Sequence, residues 1–329
     1  MWNGDNMDAI LSYFSSLNPM SFVSALPGNI AQGVIWGLMA LGVFITFKLL
    51  DFADLTVDGS FATGGAVTAM MLINGQPIWL AMIVAAIAGL LAGLVTGLLH
   101  TLLGIPDILA GILSQIALYS INLNIMGQAN QAINVNKYTL VLSLRNVNMA
   151  IIVGLAFAAV VIAALYWYFG TEQGSAIRAT GSNPNMSKAQ GINISVTKVI
   201  ALALSNALVA LSGSLIGQYQ GFADINMGRG AIVIGLAAVI IGQVLGEAIF
   251  KKRLNFVIRL VFVVIGAIIY YIAIGLVLWL KMPSDDMKLF TAVIVAVFLA
   301  VPYLQNKRRT SFSKVAKQNA KLNKSEEGK

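Results

Sequence analysis

The sequence lacks cysteine altogether and has one histidine, His100, among its 329 residues. Without cysteine the chain has no disulfide, no thiolate nucleophile and no thiolate metal ligand. It also has no G-x-x-x-x-G-K-[ST] segment and no H-E-x-x-H segment, which excludes a P-loop nucleotide site and a zinc-protease site of that type. We therefore expect a chain that is not an enzyme and that holds no metal or cofactor of its own.

Charged residues are also scarce. They make up 10% of the chain, against about 25% in soluble domains. Hydrophobic residues make up 58%, and the mean hydropathy is +0.82. This composition excludes a soluble globular protein and predicts an all-α polytopic membrane protein embedded in the lipid bilayer.

Windows nearly free of charge indicate where the chain crosses the membrane, since an apolar helix needs about 20 residues to do so. We predict about nine transmembrane helices, within a range of eight to ten. They follow an interfacial or extracytoplasmic N-terminus at 1–26, lie in a membrane domain at 27–304, and precede a basic tail at 305–329. The nine windows are Pro27–Phe47, Gly59–Ile73, Ile78–Leu99, Ile108–Met126, Met149–Phe169, Val199–Gln220, Gly230–Leu245, Leu260–Leu280 and Leu289–Leu304.

The distribution of Lys and Arg predicts the orientation. If the tail lies inside the cell, sixteen of the 21 basic residues fall in inner loops or the tail. An excess of basic residues inside is the usual rule, so we expect a cytoplasmic C-terminus and an external N-terminus in the cell membrane. Eight of the sixteen lie in the tail, which favours a solvated or lipid-facing end over nucleic-acid binding.

Two of the windows, Gly59–Ile73 and Gly230–Leu245, are short for a crossing and rich in Gly and Ala. Each follows an Ala-Asp-aliphatic-polar-aliphatic run, at Ala53–Val57 and at Ala223–Met227. In the predicted orientation they enter from opposite sides, which indicates an internal inverted repeat with short re-entrant or broken helices. Such segments border the pathway in transporters, although close packing of small residues also explains them.

Polar side chains at membrane depth are candidates for a translocation pathway. Ionisable groups are nearly excluded from the windows, which argues against a proton relay. Amides and hydroxyls can line a neutral wet route or can join helices by hydrogen bonds, and both roles stay open. The candidate pathway residues are Asp54, Asp58, Ser60, Asn122, Asn124, Asn206 and Gln218.

One long polar segment, 170–198, lies between apolar runs and must therefore sit in water on one face of the membrane. Asn183 is a good N-cap, and Pro184 is favoured at the first helical position. Gly191 is a natural stop. The segment predicts a short exposed helix at Pro184–Gln190 that docks against a partner.

The run Gly174–Asn183, GSAIRATGSN, followed by AQGI at Ala189–Ile192, resembles the cytoplasmic coupling loop of bacterial ATP-binding-cassette importer permeases. The resemblance is to the branch that serves branched-chain amino acids, ribose-type sugars and nucleosides, and it covers roughly 33–304. Residues 55–66 and 105–113 resemble the same branch. The run YSINLNIMG at 119–127 is most similar to permeases grouped with tryptophan- or tyrosine-type importers.

This resemblance implies two permease copies, here a homodimer, a cytoplasmic ATPase dimer that holds ATP and Mg, and an extracytoplasmic substrate-binding lipoprotein. It implies an amino-acid substrate, leaning aromatic, with a sugar or nucleoside as the alternative. The residues that it assigns to ATPase coupling are Arg178, Asn183, Pro184, Asn185, Met186, Ser187, Lys188, Ala189, Gln190 and Gly191.

Two other functions remain open. An ion-coupled secondary transporter would explain the inverted repeat, but its coupling needs ionisable or cation-coordinating groups at depth, which are sparse here. A scaffold or assembly factor without transport activity would explain the polar segment as a partner site.

Overall fold

The computed structural model describes residues 19–250, 255–280, 289–293, 295–297 and 300, most of which are helical. Two short strands pair antiparallel, with Gln131 opposite Ala223. The helices are α1 Pro19–Val43, α2 Thr56–Ile73, α3 Ile78–Thr101, α4 Asp107–Met126, α5 Val147–Phe169, α6 Glu172–Ser182, α7 Pro184–Ala189, α8 Ile194–Gln220, α9 Ala231–Phe250 and α10 Phe256–Trp279, and the strands are β1 Asn130–Ala132 and β2 Phe222–Asp224.

Among the described residues, seven helices are long and apolar enough to cross a membrane: α1, α3, α4, α5, α8, α9 and α10. The fold is the predicted helical membrane architecture, but the described residues do not confirm the predicted count of about nine. The window at Gly59–Ile73 forms α2, which has 18 residues and is not one of the seven. The window at Leu289–Leu304 and the tail 305–329 lie partly or wholly outside the described residues.

Two predicted boundaries differ from the helix bounds. Helix α1 is described from Pro19 onward, so the predicted N-terminal boundary at residue 26 falls within its span, and Pro27 lies within the helix. Proline removes one backbone hydrogen bond, which an otherwise apolar helix tolerates. The window at Gly230–Leu245 is not short, because α9 continues to Phe250 as a helix of 20 residues.

Helices α2 and α8 form the centre of the bundle. No side chain of α2 is exposed. On α3, Gly89, Gly93 and Gly97 recur every four residues and face α8. A Cβ atom on Gly93 would collide with the Leu202 carbonyl. These glycines let the two backbones approach closely, which maximises dispersion contacts between membrane helices.

The bundle has two distinct ends. One end, called the α7 end, carries α6 and α7 together with the last residues of α1, α3, α5 and α9. The other end, called the sheet end, carries β1, β2 and the loop between α4 and α5. Because α2 runs toward the sheet end and α9 runs toward the α7 end, the two windows singled out as a repeat are opposite in direction.

Candidate functional site

The polar segment 170–198 forms two short helices at the α7 end. Each start carries a side-chain cap: Thr171 Oγ1 accepts from Gly174 N–H, and Asn183 Oδ1 accepts from Met186 N–H at 3.1 Å. Pro184 occupies the first turn of α7, as predicted. The sequence prediction missed α6, although Thr171 followed by Glu172 is a recognisable helix start.

Helix α7 presents most of its surface outward. Met186 is 59% exposed, and Lys188, Ala189, Asn185 and the flanking Gln190 are also exposed. Ser187 is the exception among the predicted coupling residues: it is buried, and its hydroxyl donates to the Asn183 carbonyl at 3.0 Å. Helix α7, called the knob, therefore has six residues, of which Ser187 is buried and the others are exposed.

Helix α6 ties this knob to the ends of two long helices. The guanidinium of Arg178 donates to the carbonyl of Phe169, the last residue of α5, at 3.0 Å. A Cβ atom on Gly181 would collide with the Leu49 carbonyl, at the end of the π-helical turn that continues α1. Helix α6 is therefore in direct contact with the ends of α1 and α5.

Helix α8 starts three residues after the Gly191 turn, and its first turn contacts the end of α3. Asn193 caps α8 by accepting from Val196 N–H. The ammonium of Lys198 donates to Nε2 of His100 at 2.9 Å, and Nδ1 of His100 bonds to the Ile105 carbonyl. Through these contacts the knob also connects to α8 and α3.

The two predicted repeat entries have the same local structure. Asp54 Oδ1 accepts from Thr56 N–H at 2.9 Å, and Asp224 Oδ1 accepts from Asn226 N–H at 2.7 Å. In both, the second carboxylate oxygen accepts from an asparagine amide, Asn206 for Asp54 and Asn130 for Asp224. The match in sequence is therefore also a match in hydrogen bonding, as an inverted repeat predicts.

The N-termini of α2 and α9 meet at Asp58. This residue lies in the first turn of α2, and its two carboxylate oxygens accept from the N–H groups of Gly230 and Ile232, each at 2.9 Å. The unpaired N–H groups at a helix start favour a negative charge, so Asp58 is held by the positive ends of both helices. A Cβ atom on Gly228 would collide with the Asp58 carbonyl.

Beside this junction lies a cavity of about 350 Å³, called the polar cavity. It opens between α2, α4 and the segment that precedes α9. Two predicted pathway residues, Asp58 and Asn122, line it together. The complete lining is Asp58, Gly59, Ala62, Gln115, Ile116, Tyr119, Ser120, Asn122, Ile225, Asn226 and Arg229.

The other predicted pathway residues lie elsewhere. Asp54 and Asn206 are buried and bonded to each other at 2.7 Å. Ser60 is buried in α2. Gln218 is also buried, and its Oε1 accepts from Val141 N–H. This bond joins the loop between α4 and α5 to α8. Asn124 is exposed on α4 and does not line the polar cavity.

Sequence reasoning missed Gln115, Tyr119 and Arg229. On α4 the spacing of Gln115, Tyr119 and Asn122 is the i, i+4, i+7 pattern of one helix face, which could have found the first two. The distribution of Lys and Arg along the chain placed Arg229 in an external loop and gave it no further role. Its position beside Asp58 depends on a contact between segments 172 residues apart, which no local pattern indicates.

Comparison with known proteins places this geometry in context. Residues 28–302 match the family model described as branched-chain amino acid transport system, permease component. The chain is 39% identical over 301 residues to the tyrosine transport system permease protein of Clostridioides difficile, a match that covers 91% of this chain and 99% of that protein.

Two further relatives are more distant. An uncharacterized protein of Rickettsia prowazekii is 31% identical over 273 residues, covering 82% of this chain and 94% of that protein. The xylose transport system permease protein XylH of Haemophilus influenzae is 32% identical over 88 residues, 27% of this chain and 24% of that protein.

Proposed function

Because the chain belongs to the family of branched-chain amino acid transport system permease components, we propose that it moves an amino acid across the cell membrane as the membrane-spanning subunit of an ATP-driven importer. An aromatic amino acid is the favoured substrate, since the C. difficile relative that matches 91% of this chain is a tyrosine transport permease. We propose that two copies assemble with an ATPase dimer, which holds ATP and Mg, and with an extracytoplasmic binding lipoprotein.

The observation that carries this proposal is the exposed helix α7. Its free face offers Met186, Lys188 and Ala189, while Ser187 on its other face is buried. A cytoplasmic ATPase that receives this knob would move it as one unit. The contacts of α6 with α1 and α5, and of α8 with α3, would then carry the motion into the transmembrane helices.

The lack of a nucleotide site fits an external energy source, since the sequence contains no P-loop segment. An ion-coupled mechanism has less support. Asp58, a carboxylate at membrane depth, has both oxygens engaged by backbone N–H groups of α9, and Asp54 is engaged by Thr56 and Asn206. Each carboxylate is therefore already engaged within the chain, and among the described residues no group of three or more acidic, His or Cys side chains is assembled that could hold a coupling ion.

The test is the substitution Ala189→Glu, with uptake of L-tyrosine and co-purification of the ATPase as readouts. A bulky anion on the free face of α7 should remove both, because a docked helix transmits force only when it is packed. The permease itself should keep its expression and thermal stability, since Ala189 is exposed.

The matched control is Gln173→Glu, which adds the same charge at one exposed position of α6. Gln173 lies in the first turn of that helix, where a negative charge is favourable. It should keep both activities. Wild-type uptake and ATPase binding in Ala189→Glu would refute docking at α7. Uptake driven by an ion gradient without ATP would refute the importer.

A further inference from the structure

The polar cavity is lined by one cation, the exposed Arg229. Arg229 lines the cavity, and among the described residues its guanidinium has no hydrogen bond and no ion pair. Its backbone is fixed, because Arg229 N–H donates to the Asn226 carbonyl at 3.0 Å. A planar guanidinium with free donors is suited to bind a carboxylate through two parallel hydrogen bonds.

Beside the cavity lies a buried acceptor without a donor. Asn122 is fully buried, and its Oδ1 has no hydrogen-bond partner. Its Nδ2 lies 3.5 Å from the Gly59 carbonyl, which orients the amide so that the oxygen is the free atom. A buried carbonyl oxygen left unpaired is costly, and a ligand that brings N–H donors removes this cost.

Asp58 supplies the negative charge of the cavity. Each of its oxygens accepts one backbone N–H bond from the start of α9, which leaves each oxygen able to accept another. The cavity thus carries one anion and one cation, together with the Asn122 acceptor. This set complements a ligand with both an ammonium and a carboxylate, and it does not complement a polyanion or a polycation.

The rest of the lining limits the size and character of the ligand. Ala62, Ile116 and Ile225 are apolar, and Tyr119 contributes a ring to the same wall. A volume of about 350 Å³ lies near the lower end of ligand pockets, which run from roughly 300 to 1,000 Å³. The cavity therefore suits one small molecule with a single apolar side chain.

We propose that the polar cavity is a transient binding site for a zwitterionic α-amino acid on its way through the permease. Arg229 binds the carboxylate, and Asn122 and Asp58 bind the ammonium. The side chain packs on Tyr119 and Ile116. This inference rests on the proposed function, because it takes the ligand to be the transported substrate, and it adds the residues that recognise the substrate inside the membrane.

The test is a ligand-observed NMR titration of the full-length permease in nanodiscs, without ATPase or binding protein. The probes are L-tyrosine, tyramine, which lacks the carboxylate, and 3-(4-hydroxyphenyl)propionate, which lacks the ammonium. The wild-type protein should bind L-tyrosine about tenfold or more tightly than either analogue, as expected for loss of hydrogen bonds to charged groups.

Substitutions then assign each contact. Arg229→Gln should reduce L-tyrosine binding to the level of tyramine and leave tyramine unchanged, whereas Arg229→Lys should restore part of the affinity. Asn122→Leu should reduce the difference between L-tyrosine and the propionate, because Asp58 is then the one remaining partner of the ammonium. The matched control is Arg145→Gln, an exposed arginine near the sheet end that does not line the cavity, and it should bind as the wild type.

The site is refuted if the wild type does not distinguish L-tyrosine from tyramine, or if Arg229→Gln binds L-tyrosine normally. Equal loss of L-tyrosine and tyramine in Arg229→Gln would mean a structural role and would also refute it. The proposed function fails separately: a wild-type protein that binds L-tyrosine yet shows no ATP-driven uptake rejects the importer and leaves the site intact.

Discussion

At the scale of single residues, the buried polar groups divide into two kinds. Some atoms are paired within the chain, such as Asp54 Oδ2 with Asn206 Nδ2, and this bond joins the segment before α2 to α8. Other atoms have no partner, such as the Oδ1 atoms of Asn122 and Asn206. In a membrane interior a paired polar group contributes to stability, whereas an unpaired one beside a cavity is available to a ligand.

The pairing of Asp54 predicts the effect of Asn206→Ala. The substitution leaves the buried Asp54 Oδ2 without its donor at 2.7 Å, which should cost about 1–3 kcal/mol of unfolding free energy. Thermal unfolding of the detergent-solubilised protein would measure the loss. Asn124→Ala is the matched control, because that amide is exposed on α4, and it should change stability by less than about 0.5 kcal/mol. Equal stability of the two variants would contradict the structural role of the pair.

At the scale of elements, α6 acts as the link between the knob and the bundle. It is short, with 11 residues, and three of its contacts are with helix ends: Arg178 with α5, Gly181 with the end of α1, and Gly174 with Phe169. Local sequence signals indicate where α7 begins, but they do not indicate these contacts. In the sequence the glycines of α6 were interpreted as part of a family motif. The structure shows that they also allow α6 to pack closely against the ends of α5 and α1.

The link predicts that Arg178→Met separates docking from transport. Removing the guanidinium breaks the hydrogen bond to the Phe169 carbonyl and the contact with the Phe256 ring at 5.9 Å. The free face of α7 is unchanged, so the ATPase should still co-purify while uptake falls about tenfold, as expected for loss of roughly 1.4 kcal/mol of coupling.

Arg178→Lys keeps the charge without the planar fork and should give intermediate uptake. Lys188→Met is the contrasting variant, because Lys188 is exposed on α7 itself. It should weaken ATPase co-purification. Loss of ATPase binding in Arg178→Met would contradict the assignment of this residue to the link.

At the scale of the whole molecule, the α7 end and the sheet end must face opposite sides of the membrane, since the long helices run between them. The basic residues predict which side each end faces. The proposed orientation puts α7 in the cytoplasm and the loop around Lys137, next to the sheet, outside the cell.

Thiol labelling can test this orientation cleanly, because the chain has no cysteine and each introduced cysteine is its sole thiol. A membrane-impermeant maleimide should modify Lys137→Cys on intact cells. It should modify Lys188→Cys only after the cells are permeabilised. Both lysines are exposed, so access is set by the membrane. Labelling of Lys188→Cys on intact cells would reverse the orientation and remove the basis for ATPase docking at α7.

Much of the candidate site was predictable because its signals are local. The cap at Asn183 and the first-turn position of Pro184 follow from neighbouring residues. The pathway candidates were harder, since polarity within an apolar window marks both helix pairing and cavity lining. Of the seven predicted pathway residues, Asp58 and Asn122 line the polar cavity. Arg229, which was not one of the seven, lies beside them because the starts of α2 and α9 are in contact.

The sequence by itself determined that this chain is a helical membrane protein with an exposed, capped short helix and two similar runs before α2 and α9. It could do so because two free-energy costs act locally on every residue: the cost of burying a charge and the cost of leaving a backbone polar group unpaired. The tertiary structure alone decided the rest. It extended α9 to Phe250 and buried α2 at the centre. It also joined two helix starts at Asp58. These outcomes depend on which backbones approach closely, and that is a property of packing between distant segments.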